Sequence, residues 1–405
     1  MDKIKIIGGN RLNGQIYISG AKNAALPLIC ASLLTDETVT LTNMPMLSDI
    51  RSMNALLEQM GTQIDSFDDF VDGHATKTYS YRTQKFSSLI APYDYVRKMR
   101  ASYYVLGPVL AREGHVELSL PGGCAIGARP MDIHLSSLEQ MGATIEIKNG
   151  YVHADIKGRL KGAHITFHTA SVGATCNILM AATLAEGETV IENAAKEPEI
   201  GDLIDLLTAM GAKIEGRDSS KLTIQGVDKL HGAQHKVIAD RIEAGSYAIA
   251  AAITNGRLEL INAQASTLRT PIEILRAMGV SVEEGKDSLL IDAKGKTLTG
   301  QDIMTDYYPG FPTDLQAQFM ALMTVSEGAS FSRWYLDDYP VSVWGGDKGL
   351  LVVGYPRGSV WNYYIHQDMK DFEGFLTFLS LSFIFTILAA VLVILVSGYR
   401  YYRKM

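Results

Sequence analysis

Cysteine is scarce in this chain, and so is an excess of charge of either sign. Three cysteines (Cys30, Cys124, Cys176) in 405 residues are too few and too odd in number for a disulfide framework, which favours a reducing compartment. The net charge of −7, from 37 basic against 44 acidic side chains, leaves no basic face for a nucleic-acid partner. His, Cys, Asp and Glu nowhere gather at metal-ligand spacing, so neither a metal site nor a cofactor is expected. The opening MDKIKIIGGN holds no apolar run and does not read as a signal peptide. No Gly-x-Gly-x-x-Gly follows a strand pattern, which argues against a dinucleotide-binding sheet.

Tryptophan is missing until Trp334, and this absence divides the chain. The tail at 331–405 carries 17 aromatic side chains, and the much longer stretch at 1–330 carries the other 17. The tail has 7 basic and 6 acidic side chains, which leaves −8 for the rest. Within the tail, the stretch 375–396 (FLTFLSLSFIFTILAAVLVILV) runs without a single charge. As a helix it would span roughly 33 Å, enough to cross a membrane, and it is followed by a basic, Tyr-rich stretch at 397–405. The acidic flank before it and the basic flank after it orient the C-terminus toward the cytoplasm. Between positions 331 and 374, runs such as VSVW and LLVVGY, punctuated by Gly and Pro, predict a small β-rich segment. That segment is faintly similar to the membrane-proximal part of bacterial sensor kinases, though no kinase motif follows it.

The part of the chain at 1–330 repeats itself. A helical pattern ends in Leu-x-x-Met-Gly and enters a strand at Met60-Gly61, Met141-Gly142, Met210-Gly211 and Met278-Gly279, recurring at nearly even intervals. Each Gly suits the left-handed position past a helix end, where a Cβ would be costly. Interleaved with these are Ala-rich apolar segments that predict buried helices: GAKNAALPLICASLL, MRASYYVLGPVLAREG, SVGATCNILMAATLAEG, EAGSYAIAAAITNG and PTDLQAQFMALMTVSEG. Short runs such as HVELSL, HITFH, TVIEN, KLTIQ, RLELIN and SLLID predict the strands. The fold class is α/β, with sheets packed outside buried helices.

Candidate chemistry gathers where the buried helices begin. Lys22 and Asn23 follow small residues at a helix start, an arrangement that suits anions as well as an ordinary cap with a solvated lysine. Cys124 sits in the Gly- and Pro-rich loop LPGGCAIGARP, shortly before Arg129. A thiol there suits an acid or a nucleophile, or simply packing, and no neighbouring His forms a pair with it. His134 follows in a helical pattern and reads as packed or solvated. Asp314, in Phe311-Pro312-Thr313-Asp314, complements a helix N-terminus or serves as a general base. Arg100 begins another apolar helix and suits an anion. Asp240-Arg241-Glu243 and Glu197-Pro198-Glu199 read as ion-paired surface.

Eight motifs, in order, resemble one family: SGAKNAALPL, APYDYVRKMRAS, LPGGCAIGARPMDIH, RLKGAHI, SVGAT, AATLAEGETVIENAAKEPEI, ADRIEAGSY and FPTDLQAQFMALMTVSEG. They are similar to the UDP-N-acetylglucosamine 1-carboxyvinyltransferase family of enolpyruvyl transferases, from position 1 to about 331. The resemblance implies two inverse α/β barrel domains, each of three similar units. The first would comprise 22–238, and the second, truncated here, 1–21 with 239–330. It implies transfer of the enolpyruvyl group of phosphoenolpyruvate to the 3′-hydroxyl of UDP-N-acetylglucosamine, an early cytoplasmic step of peptidoglycan synthesis. Lys22 and Asn23 would contact both substrates, Arg129 would hold phosphate or carboxylate, Cys124 would donate a proton, and Asp314 would be the base. Arg100, the stretch Arg129, Pro130, Met131, Asp132 and Ile133, and the stretch Thr169, Ala170, Ser171 and Val172 would bind the UDP-sugar.

The departure begins after Glu327-Gly328. The family continues there through another strand-helix unit with further substrate-binding arginines. Here Phe331 leads into Trp334-Tyr335-Leu336-Asp337, and the remaining Arg333, Arg357, Arg400 and Arg403 match no motif. Impaired turnover is therefore expected. Two alternatives stand beside the enzyme: a membrane-anchored protein that binds or senses UDP-sugars, and a non-functional fusion of two protein fragments.

Overall fold

In the computed structural model the described residues are 5, 8–71, 74–97, 99–120, 131–328, 330, 332–334, 342–346, 349–354 and 361–366. Two compact units form: Met1–Lys296 with Thr305–Gln318, and Thr297–Met304 with Phe319–Met405.

The first unit is built from one motif used four times. Each use is a four-stranded sheet in which a short strand runs parallel to a neighbour, and that neighbour pairs with an antiparallel hairpin. The four parallel pairs are Gln234–Lys236 with Val39–Met44, Ile90–Ala91 with His115–Ser119, His164–Thr166 with Glu188–Glu192, and Asn13–Tyr17 with Arg257–Ile261. Alternation sets which face is buried. In Glu188–Glu192 the side chains of Thr189 and Ile191 point inward, and Ile191 lies opposite Leu222.

Three of the long strands carry an asparagine with positive φ at or just past their ends: Asn43, Asn193 and Asn262. Asparagine tolerates this conformation better than other side-chain-bearing residues. Each uses the resulting turn to donate its amide to the end of the parallel neighbour, at the carbonyls of Val237, Phe167 and Ile18. The expected Met-Gly helix ends are present too, with Gly61, Gly142, Gly211 and Gly279 at φ of 108, 94, 103 and 100°.

Buried helices stand under these sheets as the Ala-rich segments predict. Lys22–Ala31 buries eight of its ten residues, and Val172–Ala182 buries ten of eleven. Some of these segments open or close on a 3-10 turn, as at Thr313–Leu315 and Ser32–Leu34, and one departs further. MRASYYVLGPVLAREG winds as a 3-10 helix over Arg100–Val105 before becoming α-helical at Leu106–Glu113. Pro108 explains the break, because its ring would collide with the carbonyl of Tyr104 in a continuous α-helix and it has no N–H to donate. One apolar core runs without interruption from Ala21 to Val237.

The expected inverse α/β barrels are present in part: the α/β units are there, but among the described residues the strands form separate sheets of two to four strands and no ladder closes a barrel. The edge strands that would carry the closure are short, two residues in Ile90–Ala91 and three in His164–Thr166 and Gln234–Lys236.

In the second unit, Ser342–Gly346, Gly349–Gly354 and Trp361–His366 form an antiparallel sheet with Gly349–Gly354 in the middle. These strands fall within the segment expected to be β-rich. The apolar run 375–396 and the basic tail 397–405 lie outside the described residues. Among the described residues no helix is long and apolar enough to cross a membrane.

Candidate active site

Two chain segments cross side by side at the start of the Lys22–Ala31 helix. Gly20 bridges Ala239 in antiparallel fashion, the Ala21 N–H donates to the Ile238 carbonyl at 2.7 Å, and the Asp240 N–H donates to the Ser19 carbonyl at 2.8 Å. Ala21 offers the helix no side-chain cap, so the carboxylate of Asp240 does. Its Oδ2 accepts the Lys22 N–H at 3.2 Å, while its Oδ1 accepts from Ile242 and Glu243 at 2.9 and 3.0 Å. One carboxylate thus caps both Lys22–Ala31 and Arg241–Ile253. Glu243 reaches back to accept from the N–H and hydroxyl of Ser19. The Lys22 ammonium lies 3.6 Å from Asp49, and both side chains are well exposed. Such a pair is weak and leaves the ammonium available to an incoming anion. Asn23 is exposed beside it.

The clusters expected to be surface ion pairs are corrected. Arg241 Nε lies 2.9 Å from Glu199 Oε1, with side-chain exposures of 10% and 4%. The guanidinium also lies over the ring of Tyr308, 5.6 Å from its centre. The pair is buried because Arg241 opens a helix at the crossing and Pro198 opens another at Pro198–Ala209, turning the flanking glutamates inward. Burial pushes the Glu197 carboxyl above its ordinary range, and the neighbouring Glu199 adds to that shift. Glu197 Oε2 and Glu199 Oε2 are both buried without a hydrogen-bond partner. A buried cation held beside two acidic groups is a costly arrangement, and such arrangements concentrate at functional sites.

The expected sugar-nucleotide residues lie mostly at helix starts. Ser171 caps Val172–Ala182 by accepting the Ala174 N–H at 3.2 Å. Thr169 precedes it, and its hydroxyl lies 2.7 Å from the hydroxyl of Tyr307. Ala170 and Val172 are half-buried. Met131 leads into Asp132–Gln140, whose Asp132 is exposed and 3.9 Å from His168, while Ile133 is buried. Arg100 is the first residue of Arg100–Val105. Cys124, Arg129 and Pro130 lie outside the described residues.

Asp314 is exposed in the turn Thr313–Leu315, which Leu315 anchors by full burial. That turn packs on Arg241–Ile253, where a Cβ on Gly245 would meet Leu315 at 2.5 Å and where Gln318 donates to Ser246 at 3.0 Å. Lys22 and Asp314 share no direct bond among the described residues. They are joined through the Arg241–Ile253 helix, capped at one end of this path by Asp240. Sequence reasoning missed Asp240, Arg241, Glu199, Tyr307 and Tyr308 as parts of this arrangement. The signal was that Asp240 and Arg241 open an Ala-rich helix just as Lys22 and Asn23 do.

The chain matches the model of the EPSP synthase (3-phosphoshikimate 1-carboxyvinyltransferase) family over residues 6–336. It belongs to that family. Family members similar to it include the UDP-N-acetylglucosamine 1-carboxyvinyltransferase of Paramagnetospirillum magneticum, 55% identical over 331 residues. Those of Granulibacter bethesdensis and Caulobacter vibrioides are 54% and 52% identical. Each match covers 82% of this chain and 77% of the relative. The family fold is evident in solved structures as well. The enolpyruvyl transferase NikO from Streptomyces tendae superposes with a TM-score of 0.69 at 20% identity, over 81% of this chain and 76% of the other. The EPSP synthase of Acinetobacter baumannii gives 0.59 at 22% identity, over 80% and 74%.

Proposed function

We propose that the chain is a UDP-N-acetylglucosamine 1-carboxyvinyltransferase, moving the enolpyruvyl group of phosphoenolpyruvate onto the 3′-hydroxyl of UDP-N-acetylglucosamine with release of phosphate. The observation that carries this reading is 52–55% identity to enzymes of that name across the stretch holding the candidate site. The geometry at Lys22 supports it. An exposed ammonium beside a capped helix start receives an anion, and both substrates are anions.

The reaction adds an alcohol across the C=C bond of an enol phosphate and then expels phosphate with loss of a proton from the newly formed methyl group, so it needs one acid and one base. Cys124 supplies the proton to the methylene carbon, and Asp314 removes the proton of the 3′-hydroxyl. Lys22 and Arg129 hold phosphate or carboxylate, with Asn23 beside them. Arg100, Arg129–Ile133 and Thr169–Val172 bind the UDP-sugar. The site forms between a domain of residues 22–238 and a second domain of 1–21 with 239–330, and the work belongs to the cytoplasm. Residues beyond 336 lie outside the family match, so turnover is slow while UDP-sugar binding persists. The membrane-anchored sensor reading rests on 375–396, which lies outside the described residues.

The test uses the full chain. Calorimetry should show UDP-N-acetylglucosamine binding, and an epoxide analogue of phosphoenolpyruvate should label Cys124. Phosphate release from both substrates should be slow. Absence of both binding and labelling refutes the reading.

A further inference from the structure

Asn177 lies at the centre of the first unit, fully buried in Val172–Ala182. Its carboxamide has a fixed orientation, because the Gly107 N–H can only donate and does so to Oδ1 at 2.9 Å. Nδ2 therefore faces the other two neighbours. It donates to the Tyr103 carbonyl at 3.0 Å and to Nδ1 of His134 at 3.0 Å. An amide N–H needs a lone pair opposite it, so Nδ1 of His134 is unprotonated and the ring proton sits on Nε2. Burial holds this imidazole neutral, with its pKa lowered to about 4 against a small opposing pull from Asp132.

These three bonds join three helices. Gly107 and Tyr103 belong to the stretch that Arg100 opens, His134 to the helix that Asp132 opens, and Asn177 to the helix that Ser171 caps. The backbones approach closely here. A Cβ on Gly107 would lie 2.4 Å from the Asn177 carbonyl, and one on Gly173 would lie 2.7 Å from the Tyr103 hydroxyl. The Tyr103 ring meets the His134 ring edge-on at 5.0 Å. Neither ring nor amide has slack, so a change in one of the three bonds moves a helix start.

We propose that Asn177 is a positioning residue for the sugar-nucleotide site, its single carboxamide setting the relative placement of the three helix starts at Arg100, Asp132 and Ser171. This rests on the reading that those starts bind the UDP-sugar. Asn177 itself touches no substrate and acts through His134, Tyr103 and Gly107.

Asn177→Asp keeps the acceptor for Gly107 and replaces the donor that faces Tyr103 and His134 with a carboxylate oxygen. His134 must then carry a proton on Nδ1, so its pKa rises from about 4 in an imidazole NMR titration. The charged groups bearing on the ring are then the new carboxylate and Asp132. Calorimetry on the full chain should show UDP-N-acetylglucosamine binding weakened at least about tenfold, the equivalent of roughly 1.4 kcal/mol. Ser137→Ala is the control. It removes a buried hydroxyl bond to the Ile133 carbonyl in the same helix, and it should lower stability while leaving affinity unchanged.

If Asn177→Asp does not fold, Asn177→Leu, an apolar side chain of similar shape that makes none of the three bonds, replaces it with the same expectation for affinity. A folded variant with unaltered affinity overturns the positioning role and leaves the functional reading intact. So does an equal loss of affinity in Ser137→Ala. An unaltered chain that fails to bind the UDP-sugar overturns both.

Discussion

The Lys22–Ala31 and Arg241–Ile253 helices start side by side under one carboxylate, yet they are held in opposite ways. Lys22–Ala31 is apolar and buries eight of ten residues in the core that runs from Ala21 to Val237. Arg241–Ile253 buries six of thirteen, and its first turn is held by the charged contacts of Arg241, Asp240 and Glu243. The polar groups buried in the two regions differ as well. The first region buries a neutral pair, His134 with Asn177, and the crossing buries a charged one, Arg241 with Glu199. Packing gives the first region its stability, and a few exacting polar bonds give the crossing its geometry. A substrate site at this crossing would have a firm wall on one side and an adjustable one on the other.

The largest effect should come from breaking the charged pair. Arg241→Met strands Glu199 in a buried position and should cost about 3–5 kcal/mol in urea unfolding, with loss of any turnover. A cost below about 1 kcal/mol would mean that the crossing is not held by this pair and would dissolve the contrast.

Next in size is the pH response of the neutral pair. His134 has a folded pKa of about 4 against an ordinary 6.5, so the unfolded chain binds more protons between those values. Its contribution is fully present above pH 6.5 and is lost as pH falls toward 4, amounting to about 3 kcal/mol at 1.36 kcal/mol per unit. Unfolding midpoints at pH 7 and 4.5 should show this slope in the native chain and a shallower one in His134→Gln. Equal slopes in both would remove the neutral pair from the comparison.

The smallest expected difference concerns the two helices themselves. Leu28→Ala should cost about 3 kcal/mol and Ile249→Ala about 2 kcal/mol, because a less densely covered site relaxes more readily around a cavity. Equal costs would show that the second helix is as well packed as the first.

Much of this architecture is legible in the sequence, for reasons that are local. The Met-Gly helix ends declare themselves because left-handed backbone favours glycine, and the Ala-rich runs declare buried helices because small side chains let helices approach closely. The asparagines at 43, 193 and 262 stand just as plainly in TLTN, TVIEN and LELIN, although their cross-strand bonds depend on a neighbour distant in the sequence. The absence of barrel closure and the burial of Arg241 were not legible, since both depend on which segments meet. A charged dipeptide such as Asp240-Arg241 has the same composition on a surface as at a crossing. The same holds for Asn177, an unremarked polar residue in an apolar helix until its three partners are known.

The crossing at Ser19–Ala21 and Ile238–Asp240 also orders events in time. The Asn13–Tyr17 strand leaves the ribosome before its parallel partner, Arg257–Ile261, which follows 244 positions later, Gln15 pairing with Glu259. At synthesis rates of about 5–20 residues per second, the early strand waits roughly 12–50 s with an open edge. The intervening chain can meanwhile close its own core, with both ends already brought together at Ala21 and Ile238. The early strand then has only one place left to go.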